Sequence, residues 1–182
     1  MEDLLSENEQ KILLDIARTA IENHVCNNNV CVIPREERRL NYKRGCFVTI
    51  KQDGMLRGCI GNFQSELSLF KEVAEMAVAS ASNDPRFYPL CIRDLDTITL
   101  QISVLSSLEK ISNIDEIVVG KHGIYLEKNH YRGVLLPQVA IENKWDRNKF
   151  LDQTCIKAGL STRAWQDTDT DIYIFSAEVF SE

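Results

Sequence analysis

The chain has 182 residues, 44% of them apolar and 26% charged, with a formal net charge of −6 and a sequence pI near 5.2. That length suits one domain or two closely joined lobes, and the balance is that of a soluble globule. The acidity argues against general attraction to nucleic acid or anionic lipid, and no apolar run approaches the length of a membrane span.

The N-terminus is acidic and carries no apolar stretch behind a basic one, so a secretory signal is not expected and the cytosol is the expected compartment. Ser6 and Glu9 form a capping-box pattern. Behind them Ile12, Leu13, Ile16, Ala20 and Ile21 recur at helical spacing, which predicts an amphipathic helix over 7–24. Asn27, Asn28 and Asn29 end it, and a short strand is expected over 30–33. Arg35, Arg38, Arg39, Lys43 and Arg44 then make a basic stretch. It reads first as a solvated loop face and second as a small anion site beside the following strands.

Residues 46–50 read as a strand, Asp53-Gly54 as a hairpin turn, and residues 55–60 as the returning strand. Ser65 is the expected cap of a helix over 66–82, rich in alanine and serine so that it can lie close against a sheet. Asn83-Asp84-Pro85 stops that helix, because proline lacks an N–H and restricts the residue before it. Strands are expected over 97–105, 114–119, 124–128 and 131–136. Asp146 reads as the N-cap of a helix over 147–158, with Gly159 at C′ and Leu160 after it. Residues 171–180 read as one long alternating strand.

An internal echo runs through this order. Residues 45–61 and 123–137 both read strand, turn, strand, the first ending in Arg57-Gly58-Cys59 and the second in Arg132-Gly133-Val134. Each is followed by helix and then strand. Two β-hairpin–helix–strand units are therefore expected around a mixed, mostly antiparallel sheet. Val134 stands where Cys59 stands, so the architecture itself does not demand a thiol there.

The densest chemistry lies in Leu56-Arg57-Gly58-Cys59-Ile60-Gly61. Strand alternation places Arg57 and Cys59 on one face, with Leu56, Gly58 and Ile60 on the other. A guanidinium at roughly 6–7 Å favours the reactive thiolate. Gly58 and Gly61 invite close approach to the main chain. A cysteine nucleophile needs a base. Of His24, His122 and His130, His122 is the candidate, giving Cys59 and His122 as the catalytic pair of an enzyme reading. Asp84 and Arg86, stiffened by Pro85 and Pro89, read either as a helix stop with a local ion pair or as a rigid pocket edge gripping an anion. Arg132 beside Gly133 repeats the pattern. The expected ligand-binding set is Arg57, Gly58, Gly61, Asp84, Arg86 and Arg132, for a small anionic ligand.

The six cysteines show no zinc-ligand spacing and no Cys-x-x-Cys. A Cys26–Cys31 bridge is sterically feasible across the asparagine turn but is not expected in the cytosol. Cys46, Cys91 and Cys155 read as core residues. No phosphate loop, dinucleotide fingerprint or serine elbow is present, so no cofactor and no metal is expected.

The hexapeptide, together with Asp84-Pro85-Arg86-Phe87, Pro89-Leu90, Ser103-Val104-Leu105, His122-Gly123 and Leu135-Leu136-Pro137-Gln138-Val139-Ala140, resembles the AMMECR1 family. Trp145-Asp146, Phe150-Leu151 and Lys157-Ala158-Gly159-Leu160 fit as well, so the likeness spans nearly the whole chain in order. The compact length is similar to the stand-alone form called AmmeMemoRadiSam system protein A. The resemblance implies an α+β fold over 1–182 with two interlocked lobes, roughly 1–110 and 111–182, and a cleft between them. It implies a Memo-like protein and a radical SAM protein as associates, and marks residues 56–61 as the functional surface. It implies no settled reaction. Three readings stay open: an enzyme or enzyme-accessory component using Cys59, a non-catalytic binding module for a protein partner, and nucleic-acid binding through 35–44, which the acidity opposes.

Overall fold

A computed structural model describes residues 4–27 and 33–182. The chain divides into two compact units: the first holds residues up to Leu105 together with Glu178–Glu182, the second Ser106–Ala177. The strands fall into two separate four-stranded sheets, one per unit.

In the first unit, helix α1 (Glu7–Asn27) starts on the capping box read from the sequence. Glu9 Oε2 accepts the Ser6 N–H at 2.8 Å, and the Glu9 N–H donates to Ser6 Oγ at 3.3 Å. Strands β1 (Cys46–Gln52) and β2 (Met55–Asn62) flank a turn in which Asp53 and Gly54 both have positive φ, the geometry of a type I′ hairpin. Helix α2 (Leu69–Ser82) follows, then β3 (Ile98–Leu105). The helix begins three residues later than expected. Its N-cap is Ser68, and Ser65 instead donates its hydroxyl to Glu72. Cys46, Val48 and Ile50 on β1 and Leu100 and Ile102 on β3 turn inward with Leu13, Ile21, Leu69 and Val73 of the helices to form the first core.

The second unit contains β4 (Glu109–Lys110), β5 (Gly123–Lys128), β6 (Tyr131–Leu135), α3 (Pro137–Glu142), α4 (Arg147–Lys157) and β7 (Asp171–Phe175). Asp146 caps α4 by accepting the Lys149 N–H, and Gly159 closes it with φ +79°. Leu160 N–H reaches the Cys155 carbonyl while Gly159 N–H reaches that of Ile156, the paired bonds of a Schellman ending. Phe150, Leu151, Ile124 and Leu126 centre the second core.

Two expectations are corrected and one element is added. Residues 114–119 form no strand: Ile114–Glu116 is a 3-10 turn capped by Asn113, whose side chain competes for the local N–H groups. The turn of helix α3 was not foreseen. The last strand is two strands, because the chain leaves the second sheet at Ser176 and β8 (Ala177–Ser181) joins the first sheet beside β3. The expected strand over 30–33 and the Cys26–Cys31 bridge fall on or beside residues outside the described set.

The sheet orders are β2-β1-β3-β8 and β4-β7-β5-β6, so hairpin, helix and returning strand are arranged alike in both units. One packing detail repeats. A Cβ built on Gly58 would stand 2.2 Å from the Ser80 carbonyl oxygen of α2, and one built on Gly133 would stand 2.4 Å from that of Thr154 in α4. Each glycine lets a helix backbone rest directly on a hairpin strand. Gly58→Ala and Gly133→Ala are therefore each expected to destabilise the chain by about 1–3 kcal/mol, since the helix must retreat. Urea denaturation midpoints at unchanged m-value check this.

Candidate functional site

Strand β2 is an edge of the first sheet, and its pairing with β1 contains a slip. Lys51 pairs with Leu56 near the turn, but Ile50 pairs with Gly58, leaving Arg57 as an extra residue. Such a bulge breaks strand alternation. Beyond it Cys59 pairs with Thr49, on the sheet face opposite the helices. The thiol is half-buried there, its Sγ 3.2 Å from Thr49 Oγ1. Gly58 turns the other way, under α2.

The bulge overturns the expectation that Arg57 and Cys59 act together on one face. Arg57 Nη1 donates to the Tyr88 carbonyl at 2.8 Å, and Nη2 lies 3.9 Å from Asp94 Oδ2. Asp94 in turn accepts the Cys91 N–H at 2.8 Å and the Cys91 thiol at 3.1 Å. Those Cys91 bonds, seconded by Arg57, hold the Asp94 carboxyl below its ordinary range. Cys91 is exposed at this turn rather than in the core. The glycines are also filled from within the chain. Gly58 is buried beneath Ser80, and a Cβ on Gly61 would meet the Phe47 ring at 2.4 Å, so the close approaches there are made by the protein itself.

The guanidinium beside Cys59 belongs to Arg86. Asp84, with 2% of its side chain exposed, organises this corner. Its Oδ2 accepts the Cys59 N–H at 2.8 Å and Arg86 Nη2 at 2.7 Å, and its Oδ1 accepts Arg86 Nε at 2.9 Å and the Arg86 N–H at 3.1 Å. Arg86 Nη2 also donates to the Cys59 carbonyl at 3.3 Å. The ion pair thus satisfies both outward backbone groups of Cys59, as a neighbouring strand would. The Arg86 guanidinium holds the Asp84 carboxyl well below the usual carboxylate range, outweighing the opposing effect of burial. Asp84 correspondingly raises the pKa of Arg86, with a smaller contribution from Cys59. The helix supplies one more anchor: Ser80 Oγ accepts the Ile60 N–H at 2.8 Å and donates to the Val48 carbonyl at 2.7 Å. Thr49, Ser80, Tyr88 and Asp94 were not singled out in the sequence. Asp84 and Arg86 were, by their place after a helix stop.

His122 and Arg132 lie in the second unit. His122 Nδ1 accepts the Val118 N–H at 3.2 Å, and burial, then Lys121, lowers its pKa. Arg132 pairs across strands with Glu127, Nη2 to Oε1 at 3.1 Å. In the basic stretch Arg39 meets Glu9 at 2.9 Å, Lys43 meets Glu66 at 2.7 Å and Arg44 meets Glu178 at 3.2 Å. Those partners neutralise much of the expected anion site. Burial pushes the Cys46 and Cys155 thiols up, as suits core residues. Among the described residues no group of three or more His, Cys, Asp or Glu could hold a metal ion, and no helix is long and apolar enough to cross a membrane.

The AMMECR1 family pattern matches residues 14–180. The chain belongs to the AMMECR1 family. Protein NEQ441 of Nanoarchaeum equitans is 38% identical over 178 residues, covering 93% of this chain and 98% of that protein. Protein MJ0810 of Methanocaldococcus jannaschii is 36% identical over 187 residues, covering 98% and 92%. The crystal structure of the uncharacterized protein PH0010 from Pyrococcus horikoshii matches with a TM-score of 0.83 at 38% identity, over 93% of this chain and 89% of that one. The α+β fold expected of the family is the fold observed.

Asp84 sets a pH dependence. Its pKa is lower folded than unfolded, so its contribution is present above the unfolded value of about 4 and fades as pH falls toward the folded one. Asp84→Asn is expected to cost about 1.5–3 kcal/mol at neutral pH, the worth of charge-assisted hydrogen bonds. The gap to the parent chain should narrow as pH is lowered below about 4. Urea titrations of both chains across that range check the sign. A gap that stays constant would place the stabilising role elsewhere.

Proposed function

We propose that this AMMECR1-family chain is a protein-binding module whose recognition surface is the apolar rim around Arg57. One observation carries the reading. Met55 (75% exposed), Tyr88 (89%) and Ile92 (65%) stand in water on two segments that meet at Arg57, and Leu56 is exposed beside them. Large apolar side chains gathered in water mark interaction surfaces, and tyrosine, methionine and arginine are enriched there. The segments beneath are tied down by the Arg57–Tyr88, Asp94–Cys91 and Asp84–Cys59 bonds, so little further ordering is needed on binding. The Memo-like and radical SAM proteins implied by family membership are the partner classes of this proposal.

Tyr88→Ala combined with Ile92→Ser removes the loop half of the rim without touching the network. The variant should keep the parent's melting temperature, because exposed positions away from such features change stability by less than about 0.5 kcal/mol. It should bind a purified Memo-like or radical SAM partner at least about tenfold more weakly, as expected of an aromatic anchor. Calorimetric titration measures both chains. Equal binding by the two, or no binding of either partner class by the parent, would overturn the reading.

The thiol supports a second reading. Cys59 is half-buried, with the Thr49 hydroxyl at 3.2 Å and the half-exposed Arg86 side chain beside its carbonyl. In that reading Cys59 is the reactive group of an enzyme or accessory component, and an anionic ligand meets Arg86, not Arg57. Iodoacetamide should then modify Cys59 faster than the more exposed Cys91, read by peptide mass spectrometry over time. If Cys91 reacts faster, exposure alone governs the thiols and the binding-module reading stands.

A further inference from the structure

We propose that the outer edge of β6 pairs with the same strand of a second copy of this chain, joining two second-unit sheets into one. The two hairpins match in register but differ at their outer edges, and the rim around Arg57 plays no part in this pairing. Alternate residues of an antiparallel strand turn their N–H and C=O groups to opposite sides. In the first unit the pair Thr49–Cys59 leaves the Cys59 backbone groups facing outward, where Asp84 and Arg86 take them up. Since Gly133 pairs with Leu126 as Gly58 pairs with Ile50, the counterpart pair is Tyr125–Val134. Val134 and, two residues away, Arg132 therefore present their backbone groups at the free edge of β6.

Nothing in the second unit caps them. Asp84 follows Ser80 by four residues, and the residue that follows Thr154 by four is Ala158. A Cβ built on Gly133 would lie 2.8 Å from both the Cβ and the backbone nitrogen of Ala158, so Ala158 sits directly over this strand. Alanine offers no acceptor. Among the described residues, no loop backbone or side chain hydrogen-bonds the outward groups of Arg132 or Val134. Among the described residues, one of two matching edges is closed and the other stands open.

The occupant follows from the strand's own residues. In an antiparallel pair centred on Gly133, Arg132 lies opposite Val134 of the copy and Tyr131 opposite Leu135. The only charge on the strand then faces an apolar side chain, and the aromatic–aliphatic pairs are favourable ones. Glu127 already neutralises Arg132 from the neighbouring strand. Arg132 and Val134 exchange both backbone bonds with their counterparts, and a two-fold contact of this kind closes on itself.

Sedimentation velocity on the full chain, from low micromolar to several hundred micromolar, tests this. A reversible monomer–dimer equilibrium is expected. Val134→Pro deletes the outward N–H at a position where an edge strand tolerates proline, and should weaken association at least about tenfold while leaving far-UV circular dichroism unchanged. Ala158→Asp supplies the missing carboxylate and should weaken it likewise. If Val134→Pro does not fold, amide exchange in the parent chain decides: protection of Arg132 and Val134 should rise with protein concentration. A parent chain monomeric throughout, or a dimer that persists in both variants, or exchange at these amides independent of concentration, overturns the proposal.

Discussion

The buried Asp84 carboxylate is the constraint on which the first unit's surface depends. It sits just after α2, accepts four hydrogen bonds and binds three things that would otherwise be independent: the end of the helix, the edge strand at Cys59 and the start of the 84–94 loop. Burial alone would push such a group towards its neutral form. The two-point contact with Arg86 reverses that preference, so the carboxylate stays charged and its acceptors stay available. With the loop start fixed, the carbonyl of Tyr88 reaches Arg57, and the turn at Cys91 brings Asp94 to the same guanidinium. The exposed Tyr88 and Ile92 side chains are thus presented by a connected framework of polar bonds.

The doubled architecture separates what the fold requires from what one unit adds. Both units need glycine on the second hairpin strand, because a helix backbone rests there. Both place a hydroxyl residue at that contact, Ser80 and Thr154, but the hydroxyls are used differently. Thr154 bonds back to the Phe150 carbonyl within its own helix, whereas Ser80 bridges Val48 and Ile60 across two strands. Asp84, Arg86, Thr49 and Cys59 have no chemical equivalents in the second hairpin, where the matching positions include Ala158, Tyr125 and Val134. Polar chemistry of this kind is therefore an addition to the fold and not a condition of it.

What was legible in the sequence was local. The Ser6–Glu9 box, the Asp53-Gly54 turn, the Asp146 cap and the Gly159 ending are each decided by a few consecutive residues, and each appears where the residue types place it. The repeat was legible as well, since glycine in a strand has few other uses. The bulge was not. A two-residue turn at Asp53-Gly54 without a slip would set Cys59 opposite Val48, on the core face. The extra residue at Arg57 sets it opposite Thr49 instead. One residue of register moves a whole side-chain set between faces, and nothing in the alternation of 55–60 records that move. The break at Ser176 was hidden for a similar reason. Ile174 and Phe175 interrupt the alternation without saying where the chain turns, and the turn itself is made at long range: the Ser176 carbonyl takes the Ser106 N–H while the Ser106 hydroxyl takes the Ser176 N–H. That reciprocal clamp lies where the chain passes from one sheet to the other, and it depends on a residue seventy positions away.

The same register slip bears on function. With Arg57 drawn into the loop and Gly58 covered by the helix, the hexapeptide spends most of its polar capacity on the protein itself. Arg57 holds a carbonyl and a carboxylate, the Cys59 backbone is taken up by Asp84 and Arg86, and Ile60 is tied to Ser80. The Cys59 sulfur keeps partial access to solvent, but its described side-chain neighbour is a hydroxyl that can give or take a hydrogen bond, not a base. A motif committed in this way acts chiefly by positioning what surrounds it. On the proposal of a binding module, recognition falls to the side chains that the motif leaves in water, Met55 and Leu56 on the strand and Tyr88 and Ile92 on the loop, on two segments held by the Arg57 and Asp84 bonds.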